Sequence, residues 1–170
     1  MTSPAGGQSR SGRRRAARLA AVQALYAIDV SGSSIERVLA DVMDRHWSSG
    51  GKAGGRAGKC DADAALLRTL VEGVAADREM VDAAIGEALA EEWSLARLEI
   101  LLQAILRAGT YELHAIPDIP ARVVINEYLE IAHAFFAGRE PALVNAVLDR
   151  IAARFRSGEP ARGPADRDGT

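Results

Sequence analysis

The chain has 170 residues, of which 48% are hydrophobic and 5% aromatic, and its formal net charge is -2. The lone Cys60 excludes an intramolecular disulfide framework and favours a reducing, cytoplasmic compartment, and no apolar run reaches the length of a membrane span. A net charge this close to zero does not indicate a nucleic-acid partner, so such a role depends on charge that is concentrated locally.

The N-terminus is predicted to be a disordered tail that leads into a basic helix. Residues 1–12 are rich in Gly, Ser and Pro, and an arginine cluster follows them. Positive charge at a helix N-terminus opposes the macrodipole, so stability alone does not select it. The cluster is therefore either a solvated helix start or an arm that binds phosphates. Apolar side chains at near-helical spacing are predicted to face the core: Leu19, Val22, Tyr26 and Val30.

A second helix is predicted from a capping box formed by Ser33 and Glu36. The Gly-rich segment 48–60 that follows does not match a phosphate-binding loop. Such a loop needs a glycine, four intervening residues, then Gly-Lys and a hydroxyl residue, whereas this chain has Ala53 in place of the glycine and Cys60 in place of the hydroxyl residue. The segment is therefore predicted to be a flexible linker.

The middle of the chain predicts two amphipathic helices and then a central one. Apolar residues recur at helical spacing over Leu66–Val74 and again over Met80–Leu89. The next segment, Arg97–Leu113, is apolar around most of its circumference, which is typical of a helix in the middle of a bundle. Gly109 costs about 1 kcal/mol relative to Ala in a helix interior, so we expect another helix to approach closely there.

Two prolines in the turn after Leu113 lead into a sixth helix, and Pro141 opens a seventh helix that runs to Phe155. The chain from residue 157 onward is predicted to be a second disordered tail. The sixth helix is predicted to bury one apolar stripe: Val124, Tyr128, Ile131 and Phe135. With no alternating strand pattern, the fold class is all-α, with about seven helices.

Catalytic and metal-binding patterns are absent from the sequence. His46, His114 and His133 lie on different predicted elements, and none pairs with another at helical spacing. No nucleophile elbow, dinucleotide fingerprint or His-Glu-x-x-His run is present. We therefore expect a protein that is not an enzyme and uses no metal or cofactor.

Several blocks, in order and at compatible spacing, resemble the NusB family of bacterial transcription antitermination factors. The resemblance extends from about Arg13 to Ile151. Each block is modest alone, and together they form a specific match. The blocks are Arg13–Tyr26, Leu106–Leu113, Pro117–Pro120, Val124–Glu127 and Leu143–Asp149.

The resemblance implies a helical bundle of two small subdomains over residues 13–156. It also implies a function: binding of single-stranded boxA RNA together with ribosomal protein NusE, within the RNA polymerase antitermination complex that supports ribosomal RNA operon transcription. No cofactor and no catalysis are implied. Because some relatives dimerise, a homodimer remains open.

The site residues are carried over from the family motifs. The arginine cluster would be the RNA-binding arm. Tyr26 resembles a residue on the NusE-facing surface, and Leu102 stands where many relatives carry an acidic residue in the same region. Core packing is the alternative for Tyr26 and for Phe135. The predicted RNA contacts are Arg13, Arg14, Arg15, Arg18, Gln23, His133 and Phe135.

Asn126 and Asn145 lie within predicted helices beside apolar residues, where we expect them to make structural hydrogen bonds.

Two other functions are alternatives to antitermination. One is the NusB-like domain of a ribosomal RNA methyltransferase, although the chain leaves no room for a methyl-donor domain after the NusB-like part. The other is a helical scaffold that binds only protein.

Overall fold

The computed structural model describes residues 9–48 and 63–159. Within these ranges the chain forms seven α-helices and no β-strand, which confirms the all-α prediction. Most of both predicted tails and of the Gly-rich segment lies outside the described residues. The helices are α1 (Arg10–Ser31), α2 (Ile35–Met43), α3 (Ala64–Ala76), α4 (Arg78–Ala88), α5 (Ile100–Ala115), α6 (Ala121–Phe135) and α7 (Glu140–Phe155).

The chain divides into two compact units, with the boundary between Asp77 and Arg78. The first unit contains α1, α2 and α3, and a π-helical turn over Asp44–Ser48 extends α2. The second unit contains α4 to α7, and a 3₁₀ turn over Leu95–Arg97 precedes α5. This division confirms the predicted pair of small subdomains.

In the first unit, α1 packs against α3. The predicted apolar stripe of α1 is buried at Val22, which is 0% exposed, and half-buried at Leu19. Toward the end of the helix the stripe leaves the core, since Tyr26 is 41% exposed and Val30 is 55% exposed. The prediction that Tyr26 and Val30 face the core is therefore wrong.

The ends of α1 and α2 depend on local capping bonds. The Ser9 hydroxyl accepts a 3.2 Å hydrogen bond from the Gly12 N–H, so α1 starts at Arg10, three residues before the predicted start. The helix ends at Gly32, whose φ of 65° lies in the left-handed region that favours glycine. The cap of α2 is Ser34, which accepts from the Arg37 N–H at 3.3 Å. The predicted cap, Ser33, was off by one residue.

In the second unit, α5 packs against α4, α6 and α7, as expected for a central helix. At Gly109, side chains of α6 and α7 lie very close to the α5 backbone. A Cβ atom there would lie 3.0 Å from Leu148 Cδ1 and 3.2 Å from Tyr128 Cδ2. The predicted reason for this glycine is therefore confirmed.

Two buried polar pairs hold α5 to its neighbours. The Tyr128 hydroxyl on α6 donates a 2.7 Å hydrogen bond to the Glu112 carboxylate, and both residues are 0% exposed. Arg107 donates to both carboxylate oxygens of Asp82 on α4, at 2.7 and 3.1 Å. Such pairs are costly to break because each leaves a buried charge or polar group behind.

The residues that follow α7 tie the α5–α6 turn in place. The Arg156 guanidinium donates to the backbone carbonyls of Leu113 at 2.6 Å and Ile116 at 2.7 Å. It also pairs with Glu159, whose other carboxylate oxygen accepts from the Ala121 N–H at 2.8 Å. This clasp satisfies carbonyls at the end of α5 and an N–H at the start of α6.

Candidate RNA and partner interface

The N-terminal end of α1 presents a group of positive charges. Arg10, Arg13 and Arg15 are exposed and Arg14 is half-buried. No acidic residue lies in the first turn of the helix. We call these four residues the arginine arm. Arg10, on the helix but outside the predicted cluster, was missed because the preceding Gly- and Ser-rich sequence resembles a disordered tail.

The start of α3 lies against the arginine arm. The backbone carbonyl of Arg13 accepts a 3.2 Å hydrogen bond from the Asp63 N–H, which holds the start of α3 against this turn. The Asp63 carboxylate itself caps α3 by accepting from the Leu66 N–H at 3.0 Å. Arg15 takes part in an interaction of its own.

Two residues predicted for the interface lie in the interior instead. Arg18 is 2% exposed and faces the same side of α1 as the buried alanines. Leu102, on α5, is 3% exposed. A side chain enclosed by its own helices offers no surface to RNA or protein, so we assign both residues to the core.

A stripe along the outward face of α1 connects the arginine arm to the other end of the helix. Residues three and four positions apart lie next to each other on a helix, which places Gln23 beside Tyr26 and Tyr26 beside Val30. Gln23 is exposed, and Tyr26 is 41% exposed. Core packing, the alternative reading of Tyr26, does not fit this exposure.

In the second unit, the two predicted RNA contacts are near the end of α6, two residues apart and therefore on different sides of the helix. His133 is exposed, and Phe135, the last residue of the helix, is 46% exposed. The predicted apolar stripe of α6 is thus correct for Val124, Tyr128 and Ile131, which are buried, and wrong for Phe135. An exposed aromatic ring on a rigid helix end is suited to stacking against a base.

One of the two asparagines is more exposed than the sequence predicts. Asn126 is exposed on α6, so it is not the buried amide that its neighbours in sequence suggested. Asn145 is half-buried on α7 and takes part in an interaction.

Within residues 9–48 and 63–159, no three His, Cys, Asp or Glu side chains gather in a group that could hold a metal ion. Among the helices of the same ranges, none has the length and apolar character needed to cross a membrane. In the first unit, α1 thus presents cations at one end and the exposed Tyr26 and Val30 toward the other, and in the second unit α6 presents an exposed ring.

Comparison with known proteins gives one family. The model of the NusB family matches residues 15–153. A transcription antitermination protein NusB from Nitrobacter winogradskyi is 49% identical over 154 residues, which cover 91% of this chain and 94% of that protein. Another, from Rhodopseudomonas palustris strain HaA2, is 46% identical over 157 residues, covering 92% and 91%.

Solved structures agree with this result. NusB from T. maritima is 34% identical, with a TM-score of 0.67 over 82% of this chain and 89% of that one. The NusB of a solved complex of antitermination factors NusB and NusE with double-stranded RNA has a TM-score of 0.69. It is 22% identical over 84% of this chain and 98% of that one, a likeness that concerns the fold.

Proposed function

This chain belongs to the NusB family, and on that premise we propose that it is a transcription antitermination factor. Its ligands are the boxA element of single-stranded RNA and ribosomal protein NusE, and its role is to support ribosomal RNA operon transcription within the RNA polymerase antitermination complex. The observation that supports the proposal is the arginine arm: four cations in the first turns of α1, of which Arg10, Arg13 and Arg15 are exposed.

The arginine arm supplies the electrostatic part of RNA binding. Guanidinium groups bind phosphates through charge-assisted hydrogen bonds, and each neutralised phosphate releases counterions. The α1 dipole opposes this cluster, so the helix itself does not favour positive charge there. We infer that the cluster serves to bind an anion.

Base contacts come from side chains other than arginine. Gln23 carries an amide that donates and accepts hydrogen bonds on a base edge or a ribose. Phe135 provides a ring on which a base stacks, a contact worth about 1–3 kcal/mol in single-stranded complexes. His133, exposed near the end of α6, adds a further hydrogen-bonding group in the second unit. The amide of Gln23 gives the first unit a means to prefer some bases over others, whereas stacking on Phe135 tolerates any base.

The protein partner binds at the other end of α1. Tyr26 lies eleven residues after Arg15, which is about 16 Å along the helix axis. A tyrosine ring that is partly exposed on a rigid helix is typical of the centre of a protein interface. The arginine arm and Tyr26 therefore lie at different levels of the same helix, and Gln23 lies next to Tyr26.

Fluorescence anisotropy of a labelled boxA RNA, with and without NusE, tests the proposal. If the four residues of the arginine arm each neutralise one phosphate, the slope of log affinity against log salt is about -3. The triple variant Arg13→Ala, Arg14→Ala, Arg15→Ala should flatten this slope by about 2. Circular dichroism should show unchanged helicity in the variant.

A matched triple variant controls for net charge. Arg37→Ala, Arg45→Ala and Arg68→Ala remove the same charge from exposed positions elsewhere in the first unit. We expect this control to bind boxA RNA nearly as the unmodified protein does. Scrambled and double-stranded RNA of equal length should bind more weakly. Equal affinity for all three RNAs, with NusE present, would contradict the proposal.

A further inference from the structure

The first turns of α1 extend beyond the packed core of the first unit. Full burial of the helix begins at Ala17, which is 0% exposed, whereas residues 10–16 are exposed or half-buried. We call residues 10–16 the α1 extension. At 1.5 Å per residue it is about 10 Å long, and it carries all four residues of the arginine arm. The arm therefore lies on a part of α1 that core packing does not hold.

The local sequence of the α1 extension does not favour a helix. Ser11 and Gly12 are weaker helix formers than alanine. No acidic residue lies in the first turn, and the arginines there oppose the helix macrodipole. Because helix ends fray where few contacts hold them, the order of the arginine arm depends on the bonds made at this end of the helix.

A hydrogen bond from the start of α3 supports the α1 extension at its middle. The Asp63 N–H donates to the backbone carbonyl of Arg13 at 3.2 Å. A carbonyl oxygen has two lone pairs, so this bond adds to the intrahelical bond that the same oxygen accepts. The contact thus holds the backbone of the arginine arm and leaves the guanidinium of Arg13 exposed.

Asp63 is well placed for this support because it is itself fixed to the core. It is the N-cap of α3: its carboxylate accepts from the Leu66 N–H at 3.0 Å, and its carbonyl accepts from the Leu67 N–H at 3.0 Å. Leu67 and Leu70 are 0% exposed, so the first turns of α3 are held in the interior of the unit. One residue therefore connects a buried helix to the arginine arm.

We propose that Asp63 is a positioning residue for RNA binding, whose N–H keeps the arginine arm helical before RNA binds. It acts through Arg13 rather than by contact with RNA. An arm that is already ordered loses less conformational entropy on binding, so the affinity is higher. This inference rests on the proposed function, which makes the arm the phosphate-binding element. Charge alone predicts the opposite sign, because a carboxylate next to the arm repels phosphates.

The test compares Asp63→Ala with Asp63→Pro in fluorescence anisotropy of labelled boxA RNA, with NusE present. Both variants lack the carboxylate, and only the proline variant lacks the N–H. The φ of Asp63 is -72°, within the range that proline adopts, so the backbone accommodates the change. Loss of one hydrogen bond should make Asp63→Pro bind about fivefold more weakly than Asp63→Ala.

The salt dependence should distinguish positioning from a phosphate contact. In Asp63→Pro the arm still makes its phosphate contacts once RNA is bound, so the slope of log affinity against log salt should stay unchanged. Asp63→Asn keeps the N–H and a side chain that caps helices well, and it removes the negative charge. It should bind boxA RNA at least as tightly as the unmodified protein.

A matched control uses the N-cap of α2, at the other end of α1. Ser34 has a φ of -66° and accepts from the Arg37 N–H at 3.3 Å, so it serves α2 as Asp63 serves α3. Ser34→Ala and Ser34→Pro should bind boxA RNA with equal affinity. Circular dichroism should show similar helicity for the two proline variants.

A second variant and a second measurement keep the inference testable if Asp63→Pro does not fold. Ser9→Ala removes the cap of α1, a 3.2 Å bond from the Gly12 N–H, and leaves α3 untouched. It should weaken boxA RNA binding about threefold because it also loosens the arm. In folded Asp63→Pro, amide hydrogen exchange of residues 13–17 should be faster than in Asp63→Ala, while exchange near Ile28 is unchanged.

Three results would overturn the inference. They are equal RNA affinity of Asp63→Ala and Asp63→Pro, an equally large difference between the two Ser34 variants, and unchanged RNA binding in Ser9→Ala. Failure of the proposed function gives a different result: the triple arginine variant of the arm would then bind boxA RNA as tightly as the unmodified protein does.

Discussion

Helices α1 and α5 both combine arginines with a long apolar run, yet the fold uses them in opposite ways. Helix α5 is surrounded by three helices and buries even its charged residues: Arg107 is 5% exposed and Glu112 is 0% exposed. Helix α1 buries mainly its alanines and leaves Tyr26, Val30 and the arginine arm outside. Residue type alone therefore does not decide whether an arginine or tyrosine serves stability or binding; the number of neighbouring helices does.

The largest expected difference is in the free energy of unfolding, between variants of one arginine from each helix. Arg107→Ala should lower the free energy of unfolding by about 2 kcal/mol, because it removes a buried side chain and its bidentate pair with Asp82, whose carboxylate is 32% exposed and keeps Arg78 at 3.4 Å. Arg13→Ala on α1 should change that free energy by less than about 0.5 kcal/mol. Urea denaturation followed by circular dichroism measures both.

The effects on RNA affinity should be the reverse of the effects on stability for the same two variants. Arg13→Ala weakens boxA RNA binding because it removes a phosphate contact, while Arg107→Ala, under conditions where it is folded, leaves that binding unchanged. If the two variants lost similar stability, the contrast between α1 and α5 would be wrong.

A smaller effect is expected for the matched tyrosine pair. Tyr128→Phe removes the hydroxyl that donates 2.7 Å to the buried Glu112 carboxylate, which should destabilise the protein by about 1–2 kcal/mol. Tyr26→Phe removes a hydroxyl at an exposed position and should cost less than about 0.5 kcal/mol. Thermal unfolding of both variants in the same buffer provides the comparison. A larger loss in Tyr26→Phe would mean that α1 is packed more fully than its exposure indicates.

The smallest effect concerns the clasp that Arg156 and Glu159 form on the α5–α6 turn, where no part of α1 is involved. The hydrogen bond from the Ala121 N–H, with help from the Arg156 guanidinium, holds the pKa of the Glu159 carboxyl below its ordinary value of 4.5, against the opposing effect of burial. A carboxyl whose pKa is lowered by folding stabilises the protein above the unfolded-state pKa. That contribution is lost as the pH falls below 4.5 and through the folded-state pKa.

Substitution of this carboxyl should therefore change how the free energy of unfolding depends on pH in the acidic range. Glu159→Gln should lower the free energy of unfolding at pH 7 by less than about 1 kcal/mol, and the difference from the unmodified protein should shrink as the pH falls below 4.5. Urea midpoints between pH 3 and pH 7 measure the effect. A difference that persists at pH 3 would show that the carboxylate charge is not what holds the turn.

Several features were predictable because they depend on local sequence rules. Seven helices follow from helical periodicity and from breakers such as Pro120 and Pro141. The central position of α5 follows from its apolar circumference. Gly109 was expected at a close helix contact, and Leu148 and Tyr128 do pack against it.

Other features were not predictable because they depend on which face of a helix meets a neighbour. The spacing of Tyr26, Val30 and Phe135 suits a buried stripe, yet all three are exposed, because the core does not extend to these ends of their helices. Arg18 is indistinguishable in sequence from the other arginines and is nevertheless buried. The roles of Arg156 and Glu159 involve residues about 40 positions away, so no local pattern indicates them.

The sequence by itself determined the fold class, the helix order, the central helix and the family, because each depends on periodicity, helix breakers or ordered motifs along the chain. Only the tertiary structure decided which cations and apolar side chains remain available to a ligand. Burial is a property of packed surfaces: a side chain is removed from water by residues far away in the chain, and a one-dimensional pattern does not specify which of its faces they will cover.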